Sequence, residues 1–438
     1  MVTFVSLFLW LMTGDQPVRV AVDPTVASVE IFLDGQSVGV ATDPEWQVTV
    51  DFGQRLRPHE LVAIARDDSG REVDREIQVI NLPRPEAEVE LVFEEGTPEA
   101  PTMLRVITVS AERLAPLAVF VTFDGVMLPK ESDGRFRLPP YDRRQMHLVS
   151  AEAYYPDGIT ARRDVTFGGA WGGGVATELT AVPVTVDKRR ELSAGDLAGL
   201  LRARGEILSV AAVDRPGGRV YFVRDHSAWP ALRRIGSQLD RRRHTTRMRF
   251  NKFLSKMAQG PGAISEIPPE QERFYLIVPN PAFSRGLALY PILEPFNIDR
   301  WGLTWLATHI ASSEAAIPGQ RLPDAVAVAA LRAAGDGCPR AVVLLLGGDG
   351  VGAGNYAAAA VREYLRTLKV PFYVWKVAGE PITPWGRAEI VDSTHSLSGA
   401  SKRLLKDLRR QWIVWVEGLH LPNEIEIDDN RFGIRLAN

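Results

Sequence analysis

The stretch at residues 339–356, PRAVVLLLGGDGVGAGNY, decides the fold of the C-terminal half of this chain. Its unbroken apolar run at 341–346 lies between a proline and a cluster of glycines, which is typical of a strand buried on both faces of a parallel sheet. The residues that follow, 356–368, repeat apolar side chains at helical spacing. Asp349 therefore follows a buried strand, at the edge where open α/β sheets bind their ligands.

Strands and helices alternate on both sides of this stretch. The apolar runs VYFV at 220–223 and FYLIV at 274–278 precede it, and FYVWKV at 372–377 and IVWV at 413–416 follow it. Helical patterns lie between these runs. Such alternation predicts a doubly wound α/β fold, with a mostly parallel sheet and helices on both of its faces.

The N-terminal half has a different pattern, with short alternating runs separated by turn residues, and it contains an internal repeat. VEIFLDG at 29–35 returns as VFVTFDG at 119–125, and the segment 61–79 returns at 148–167. An offset of about ninety residues predicts two tandem all-β, Ig-like sandwiches. We interpret the repeated Asp-Gly pairs as hairpin turns, because glycine takes positive φ easily and no calcium-binding run of acids accompanies them.

These patterns divide the chain into five segments. The N-terminal segment contains an apolar run that is too short to span a membrane, so it is a candidate signal peptide. The alternatives are a first strand or a fraying terminus. We therefore predict a secreted or periplasmic protein. The segments are the signal peptide at 1–16, sandwich modules at 17–83 and 84–168, a Gly-rich hinge with a lead-in strand at 169–206, and an α/β domain at 207–438.

Composition excludes several classes of protein. The chain has 438 residues and a formal net charge of −3, which gives no overall attraction to nucleic acid or to an anionic membrane. Cys338 is the single cysteine, so neither an intramolecular disulfide nor a metal site with two thiolates can form. No stretch is apolar for the roughly 18 residues that a transmembrane helix requires.

Two acidic loops follow strands of the predicted sheet. Asp225 and Ser227 follow the strand at 220–223, and Asp349 follows the strand at 341–346. The carboxyl ends of parallel strands lie on one rim of the sheet, so these loops can converge. Carboxylate and hydroxyl oxygens are ligands that suit Mg²⁺.

The region from 179 to 416 resembles the von Willebrand factor type A (vWA) domain, and specifically the VWFA-related proteins of secreted bacterial type. The resemblance rests on AVPVTV followed by LSAGDL, on DHSAW, on GQRLPDAVAVAAL before RAVVLLLGGDG, and on SKRLLKDLRRQWIVWVEG. In that family a metal-ion-dependent adhesion site holds a divalent cation with D-x-S-x-S, a Thr and a later Asp.

By position, Asp225, Ser227 and Asp349 match three of these ligands. Trp229 stands where the family has its second Ser, and the Thr position falls at or near Gln320. The resemblance thus implies a degenerate site, in which Mg²⁺ binds if a water or the Gln320 amide oxygen completes its coordination.

We therefore predict a non-enzymatic interaction or adhesion protein that binds a protein partner through its vWA-like domain. Candidate partner contacts are Trp229 and the basic residues Arg241, Arg242 and Arg243, which belong to a local basic patch. That patch contains one aromatic residue, so nucleic acid is not the predicted partner. The alternative is a structural or assembly component that uses the sandwich edges or the basic patch and binds no metal.

Two enzymatic or cofactor-binding alternatives rest on short motifs. Asp225, His226 and Ser227 are the residue types of a hydrolase triad, but neighbours on one turn cannot reach mutual hydrogen-bond register. Gly348-x-Gly350-x-x-Ala353 matches a dinucleotide fingerprint. The next strand, however, ends in Lys376-Val377 without the acid that would bind a ribose.

Overall fold

The structure is a computed structural model that describes most of the chain. The described residues are 2–4, 6, 11–22, 26–42, 45–82, 87–97, 100–110, 115–155, 160–168, 179–186, 191–242, 272–279, 287–292, 304, 307–308, 321–335, 337–350, 354–427 and 433–438. Most of the predicted Gly-rich hinge, residues 169–178, lies outside them.

The first module is a sandwich of two antiparallel sheets. One sheet has the order β1-β2-β5 and the other the order β4-β3-β6-β7. Ile31, Val50 and Ala63 lie in the apolar core between them. The strands are β1 (Val2–Phe4), β2 (Asp15–Val22), β3 (Ser28–Leu33), β4 (Gln36–Ala41), β5 (Gln47–Asp51), β6 (His59–Arg66) and β7 (Glu72–Ile80).

Strand β1 lies within the segment that the sequence suggested as a signal peptide. Val2 pairs with Val22 of β2, and its side chain is buried in the core of the module. Whether residues 1–16 are a signal peptide stays a prediction. Secretion remains a prediction.

The second module repeats the design of the first. Its sheets have the orders β11-β10-β13-β14 and β12-β9-β8, and they enclose a core that includes Leu104, Val121 and Val149. This confirms the predicted pair of β-sandwich modules. The strands are β8 (Ala87–Thr97), β9 (Ala100–Ser110), β10 (Ala118–Phe123), β11 (Val126–Met127), β12 (Phe136–Arg137), β13 (Met146–Tyr154) and β14 (Thr160–Gly168).

A third module, which the sequence did not predict, is built from two distant parts of the chain. Its sheets have the orders β18-β27-β15-β29 and β17-β16-β28, with Val182, Leu201 and Ile425 in a shared core. The elements are β15 (Leu179–Val186), helix α1 (Ala194–Leu197), β16 (Leu201–Ala203), β17 (Glu206–Ile207), β18 (Val210–Asp214), β27 (Gln411–Glu417), β28 (Ile425–Ile427) and β29 (Ile434–Leu436).

The assignment of 413–416 to the parallel sheet was therefore wrong. Strand β27 pairs antiparallel with β15, with Ile413 opposite Pro183. Its apolar run is buried on both faces because Val414 and Val416 enter the core of the third module, whereas Ile413 and Trp415 pack against the second module. A run buried between two packed units has the same pattern as a central parallel strand.

The α/β unit lies in the chain between β18 and β27. Its six-stranded sheet has the order β21-β20-β19-β22-β23-β26. All its neighbouring strands are parallel except the edge pair β20 and β21. The strands are β19 (Arg219–Arg224), β20 (Arg273–Pro279), β21 (Leu287–Ile292), β22 (Arg340–Leu346), β23 (Phe372–Lys376) and β26 (Glu389–Ile390), and a small hairpin of β24 (Ile382–Thr383) and β25 (Gly386–Arg387) precedes β26.

Helices cover both faces of this sheet, as the alternation predicted. Helices α2 (Trp229–Arg242) and α5 (Thr394–Leu408) share one apolar core with Val343. Helices α3 (Leu322–Gly335) and α4 (Ala358–Thr367) share the opposite core with Val342. All seven residues of β22 are buried, because its side chains alternate between these two cores. Among the described residues, no helix combines the length and apolarity needed to cross a membrane.

Candidate functional site

The candidate site is the rim formed by the carboxyl ends of β19, β22 and β23 and by the loops at 225–228, 347–350 and 377–380. Strand β22 pairs in parallel with both β19 and β23, so the three ends lie side by side. Open α/β sheets bind ligands outside this end of their strands. The loops that follow β19 and β22 therefore lie at the same end of the sheet, as the sequence predicted.

Asp225 organises the first loop. Its carboxylate accepts hydrogen bonds from the Ser227 N–H at 3.0 Å and from Ser227 Oγ at 2.5 Å. The Gly347 N–H reaches the same carboxylate at 3.5 Å. The carboxylate thus caps the short 3₁₀ turn His226–Ala228 that leads into α2. Ser227 donates to Asp225, which is not the serine-to-histidine contact of a hydrolase triad.

The second loop lies directly against the first. A Cβ atom placed on Gly347 would lie 2.1 Å from the backbone carbon and oxygen of Ser227, so only glycine permits this approach. A Cβ atom on Gly348 would lie 3.6 Å from Ser227 Oγ, an ordinary contact distance. The glycines after β22 therefore bring the Asp349 loop next to Asp225 and Ser227, as the sequence predicted.

Asp349 is the charged residue of the loop at 347–350, and a lysine lies beside it. Its side chain is 89% exposed, and its Oδ1 atom lies 3.7 Å from Nζ of Lys376. Lys376 is the last residue of β23, and its side chain is only 5% exposed. A charged residue at the end of the apolar run 372–377 is the feature of the sequence that indicates this contact.

Trp229 does not lie on the surface. Its side chain belongs to the apolar core between the sheet and helices α2 and α5, together with Leu232. The Arg224 guanidinium lies over the indole ring at 4.5 Å from its centroid. Trp229 was predicted as a partner contact, and its burial removes it from the surface that a partner could reach. At the first turn of an amphipathic helix, this position faces the sheet.

Four further residues were predicted to contact a partner or a metal, and the structure describes two of them. Arg241 and Arg242 form the end of α2, and Gln320 and Arg243 lie outside the described residues. Their roles in binding a metal or a partner remain predictions.

The described rim residues do not fit a divalent cation. Asp225 already accepts two hydrogen bonds from Ser227, and the Lys376 ammonium group lies 3.7 Å from the Asp349 carboxylate. Trp229 contributes an indole where the family has a hydroxyl oxygen. Mg²⁺ requires near-octahedral oxygen ligands, and an ammonium group beside it would repel it. Within the described part of the chain, no group of three His, Cys, Asp or Glu side chains could hold a metal ion.

A hairpin covers the glycine loop from the other side. Trp385 is buried, and its Nε1–H donates to the Gly350 carbonyl at 3.0 Å. Ile382, in the first strand of the same hairpin, is 75% exposed. The hairpin thus contacts the glycine loop through Trp385, and its first strand carries the exposed apolar side chain of Ile382.

A cavity of about 630 Å³ lies away from the rim, between the third module and the α/β unit. The Tyr373 hydroxyl donates to Asp407 at 3.2 Å in its wall, and burial together with the Asp407 charge raises the pKa of Tyr373. None of the residues predicted as site residues lines it. The lining residues are Thr185, Val186, Pro371, Tyr373, Asp407, Arg410, Gln411, Ile427, Ile434, Arg435, Leu436 and Asn438.

Comparisons with known proteins do not place the chain in a family. No family model matches the sequence, and no curated protein matches it. Among solved structures, the central fibronectin-III array of RIM-binding protein is 9% identical, with a TM-score of 0.20, over 46% of this chain and 81% of that one.

Two other structures match less of their own length. Proximal thread matrix protein 1 from the mussel byssus, solved with a zinc-occupied MIDAS motif, is 11% identical with a TM-score of 0.27, over 44% of this chain and 48% of that one. A Parabacteroides merdae β-glucuronidase is 14% identical with a TM-score of 0.17, over 38% of this chain and 24% of that one. TM-scores of this size identify neither a family nor an activity.

Proposed function

We propose that this chain is an exported, non-enzymatic interaction protein that binds a protein partner through the rim of a vWA-type α/β unit, carried with Ig-like modules. The doubly wound sheet and the convergence of the loops at Asp225 and Asp349 support this proposal. Both features agree with what the sequence resemblance to the vWA family implies.

One observation carries the proposal, namely the exposure of Asp349. The residue follows a strand whose side chains are all buried, yet its own side chain is 89% exposed. Loops that extend from a rigid sheet are the usual location of binding residues, because the scaffold fixes their position. The Asp349 carboxylate is therefore the group of the Asp349–Lys376 pair that a partner would contact.

In this proposal Ile382 supplies the apolar part of the binding surface. Its side chain is exposed, while Trp385 anchors the hairpin that carries it to the glycine loop. Interfaces commonly combine an apolar contact with polar groups at its edge. Within the Asp349–Lys376 pair the carboxylate is the exposed group and the ammonium group is buried, so we expect the partner to present a Lys or Arg beside an apolar side chain.

Site-specific cross-linking tests the proposal. A photo-reactive amino acid at position 382 should cross-link the partner in cells that express the protein, whereas the same group at Val126, an exposed residue of the second module, should not. Asp349→Lys should weaken binding of the identified partner at least about tenfold, since like charges then face each other. Equal cross-linking at both positions, or no effect of Asp349→Lys, would contradict the proposal.

A second candidate function is assembly through the sandwich edges. Strands β4 and β7 are the two edges of one sheet in the first module, and they carry the exposed side chains Val40 and Ile77. Exposed edges with apolar side chains are templates for pairing with another chain. If assembly is the function, Val40→Lys and Ile77→Lys should abolish it, whereas Asp349→Lys should leave it intact.

A further inference from the structure

We propose that the Lys376 ammonium group takes the place of the divalent cation at this rim, so that the rim is assembled and binds without metal. The part that concerns binding rests on the proposed function. The exclusion of metal concerns the free protein and can be measured without a partner.

The sheet places Lys376 at the rim. It is the final residue of β23, next to β22 in the sheet, so its backbone lies where the rim begins. Its side chain is almost entirely buried, and Nζ lies 3.7 Å from the Asp349 carboxylate. A Cβ atom on Gly379 would lie 3.5 Å from the same Nζ atom. The ammonium group thus lies where two of the rim loops approach each other.

Lys376 and Asp349 form an oppositely charged pair. A buried ammonium group needs a nearby negative charge or hydrogen-bond acceptors to offset its desolvation. Asp349 supplies that charge, and Lys376 in turn offsets the charge of the carboxylate that the resemblance assigns to the metal. A divalent ion at Asp349 would lie within a few ångströms of a fixed positive charge, which disfavours its binding.

The remaining ligand positions are also satisfied without a metal. The Asp225 carboxylate accepts the Ser227 N–H and hydroxyl, so the loop after β19 is held by its own hydrogen bonds. The ring of Trp229 packs in the core beneath Arg224 instead of offering an oxygen to the rim. The Asp225 and Trp229 contacts thus hold the loop after β19 without a cation, whereas Lys376 is the group whose charge excludes one.

Thermal melting of the full chain in Mn²⁺, Mg²⁺ or EDTA tests this inference. The wild-type protein should melt at the same temperature in all three. Lys376→Met should gain about 2–4 °C in millimolar Mn²⁺, because the carboxylate is then free to bind a cation and a ligand of the folded state raises its stability. Lys376→Arg, which keeps the charge, should not respond to Mn²⁺.

Controls separate the lysine from general effects of the substitution. The double variant Lys376→Met/Asp349→Ala should lose the response to Mn²⁺, and far-UV circular dichroism should show that each variant is folded. Stabilisation of the wild-type protein by Mn²⁺ or Mg²⁺, or a folded Lys376→Met variant without a response, would overturn the inference. Either result would leave the interaction surface untouched, since cross-linking at position 382 measures it separately.

Discussion

Arg219 donates a hydrogen bond to Glu152 across 2.7 Å, and this pair joins the parallel sheet to the second module. Arg219 begins β19 and Glu152 lies in β13, and both side chains are less than 10% exposed. The same guanidinium donates to the Tyr154 hydroxyl at 3.3 Å. A charged contact thus lies inside the interface between the α/β unit and its neighbouring sandwich.

Removing one partner of this pair should destabilise the protein strongly. Glu152→Ala should lower the free energy of unfolding by about 3–5 kcal/mol, because it leaves the Arg219 charge buried without its carboxylate. The double variant Glu152→Met/Arg219→Met should have a free energy of unfolding closer to that of the wild type, since neither charge of the pair then remains buried. Urea denaturation measures both values.

An exposed ion pair provides the control. Glu363 and Arg366 form a salt bridge on α4, and both side chains are more than half exposed. Glu363→Ala should cost less than about 1 kcal/mol, since water screens such pairs. A cost for Glu152→Ala as small as that of the control would show that the interface does not depend on the buried pair.

The repeated Asp-Gly turns predict a pH dependence. In the first module, Asp34 accepts a hydrogen bond from His59 at 2.9 Å and from the Glu60 N–H at 3.0 Å. Burial raises the pKa of Asp34, but these bonds and the charges of His59 and Arg57 outweigh burial and hold the pKa below its ordinary value. The ionised carboxylate is therefore the form that stabilises the folded state.

Asp34→Asn should cost about 2 kcal/mol at pH 7, because hydrogen bonds to a charged acceptor are lost while asparagine still tolerates the positive φ of 51°. The folded pKa lies below the unfolded value of about 3.9, so the contribution is complete above that value. It should disappear as the pH falls through the folded pKa. Urea denaturation at several pH values measures this loss, and Asp68→Asn, at an exposed turn of the same module, should change stability by less than about 0.5 kcal/mol at every pH.

The second module contains the same arrangement, and it refines the sequence alignment. Asp124 accepts a hydrogen bond from His147 at 2.7 Å and from the Leu148 N–H at 2.8 Å. His59 therefore corresponds to His147, which shifts the second half of the repeat by one residue relative to the alignment of 61 with 148. Apolar patterns reveal that strands repeat, but the hydrogen bonds of a turn fix which residues correspond.

The sequence predicted features that follow from local pattern and missed those that depend on packing between distant segments. The alternation of strands and helices predicted the parallel sheet, and the glycines after β22 predicted an Asp349 loop at its rim. The third module was missed because β15 and β27 are separated by the whole α/β unit. The Lys376 contact was missed for a similar reason, since no local pattern shows which carboxylate a lysine will approach.

Two neighbouring glycines should differ sharply in their tolerance of alanine. Gly347→Ala should cost about 1–3 kcal/mol or more, because its Cβ atom would overlap the Ser227 backbone, which cannot move without shifting the loop. Gly348→Ala, whose Cβ would make an ordinary contact, should cost less than about 1 kcal/mol. Thermal melting compares the two, and equal effects would show that the loops at 225–228 and 347–350 are not in contact.

Restoring the hydroxyl group of the family motif should not restore a metal site. Trp229→Ser places an oxygen at the position of the missing ligand, but it also removes a buried ring from the core and from the face of Arg224. We expect a loss of about 3–5 kcal/mol in the free energy of unfolding, as for other large core truncations, and no stabilisation by Mn²⁺ while Lys376 is present. Trp229→Phe, which keeps an aromatic ring, should lose less. Stabilisation of the serine variant by Mn²⁺ would show instead that Trp229, and not Lys376, is what excludes the cation.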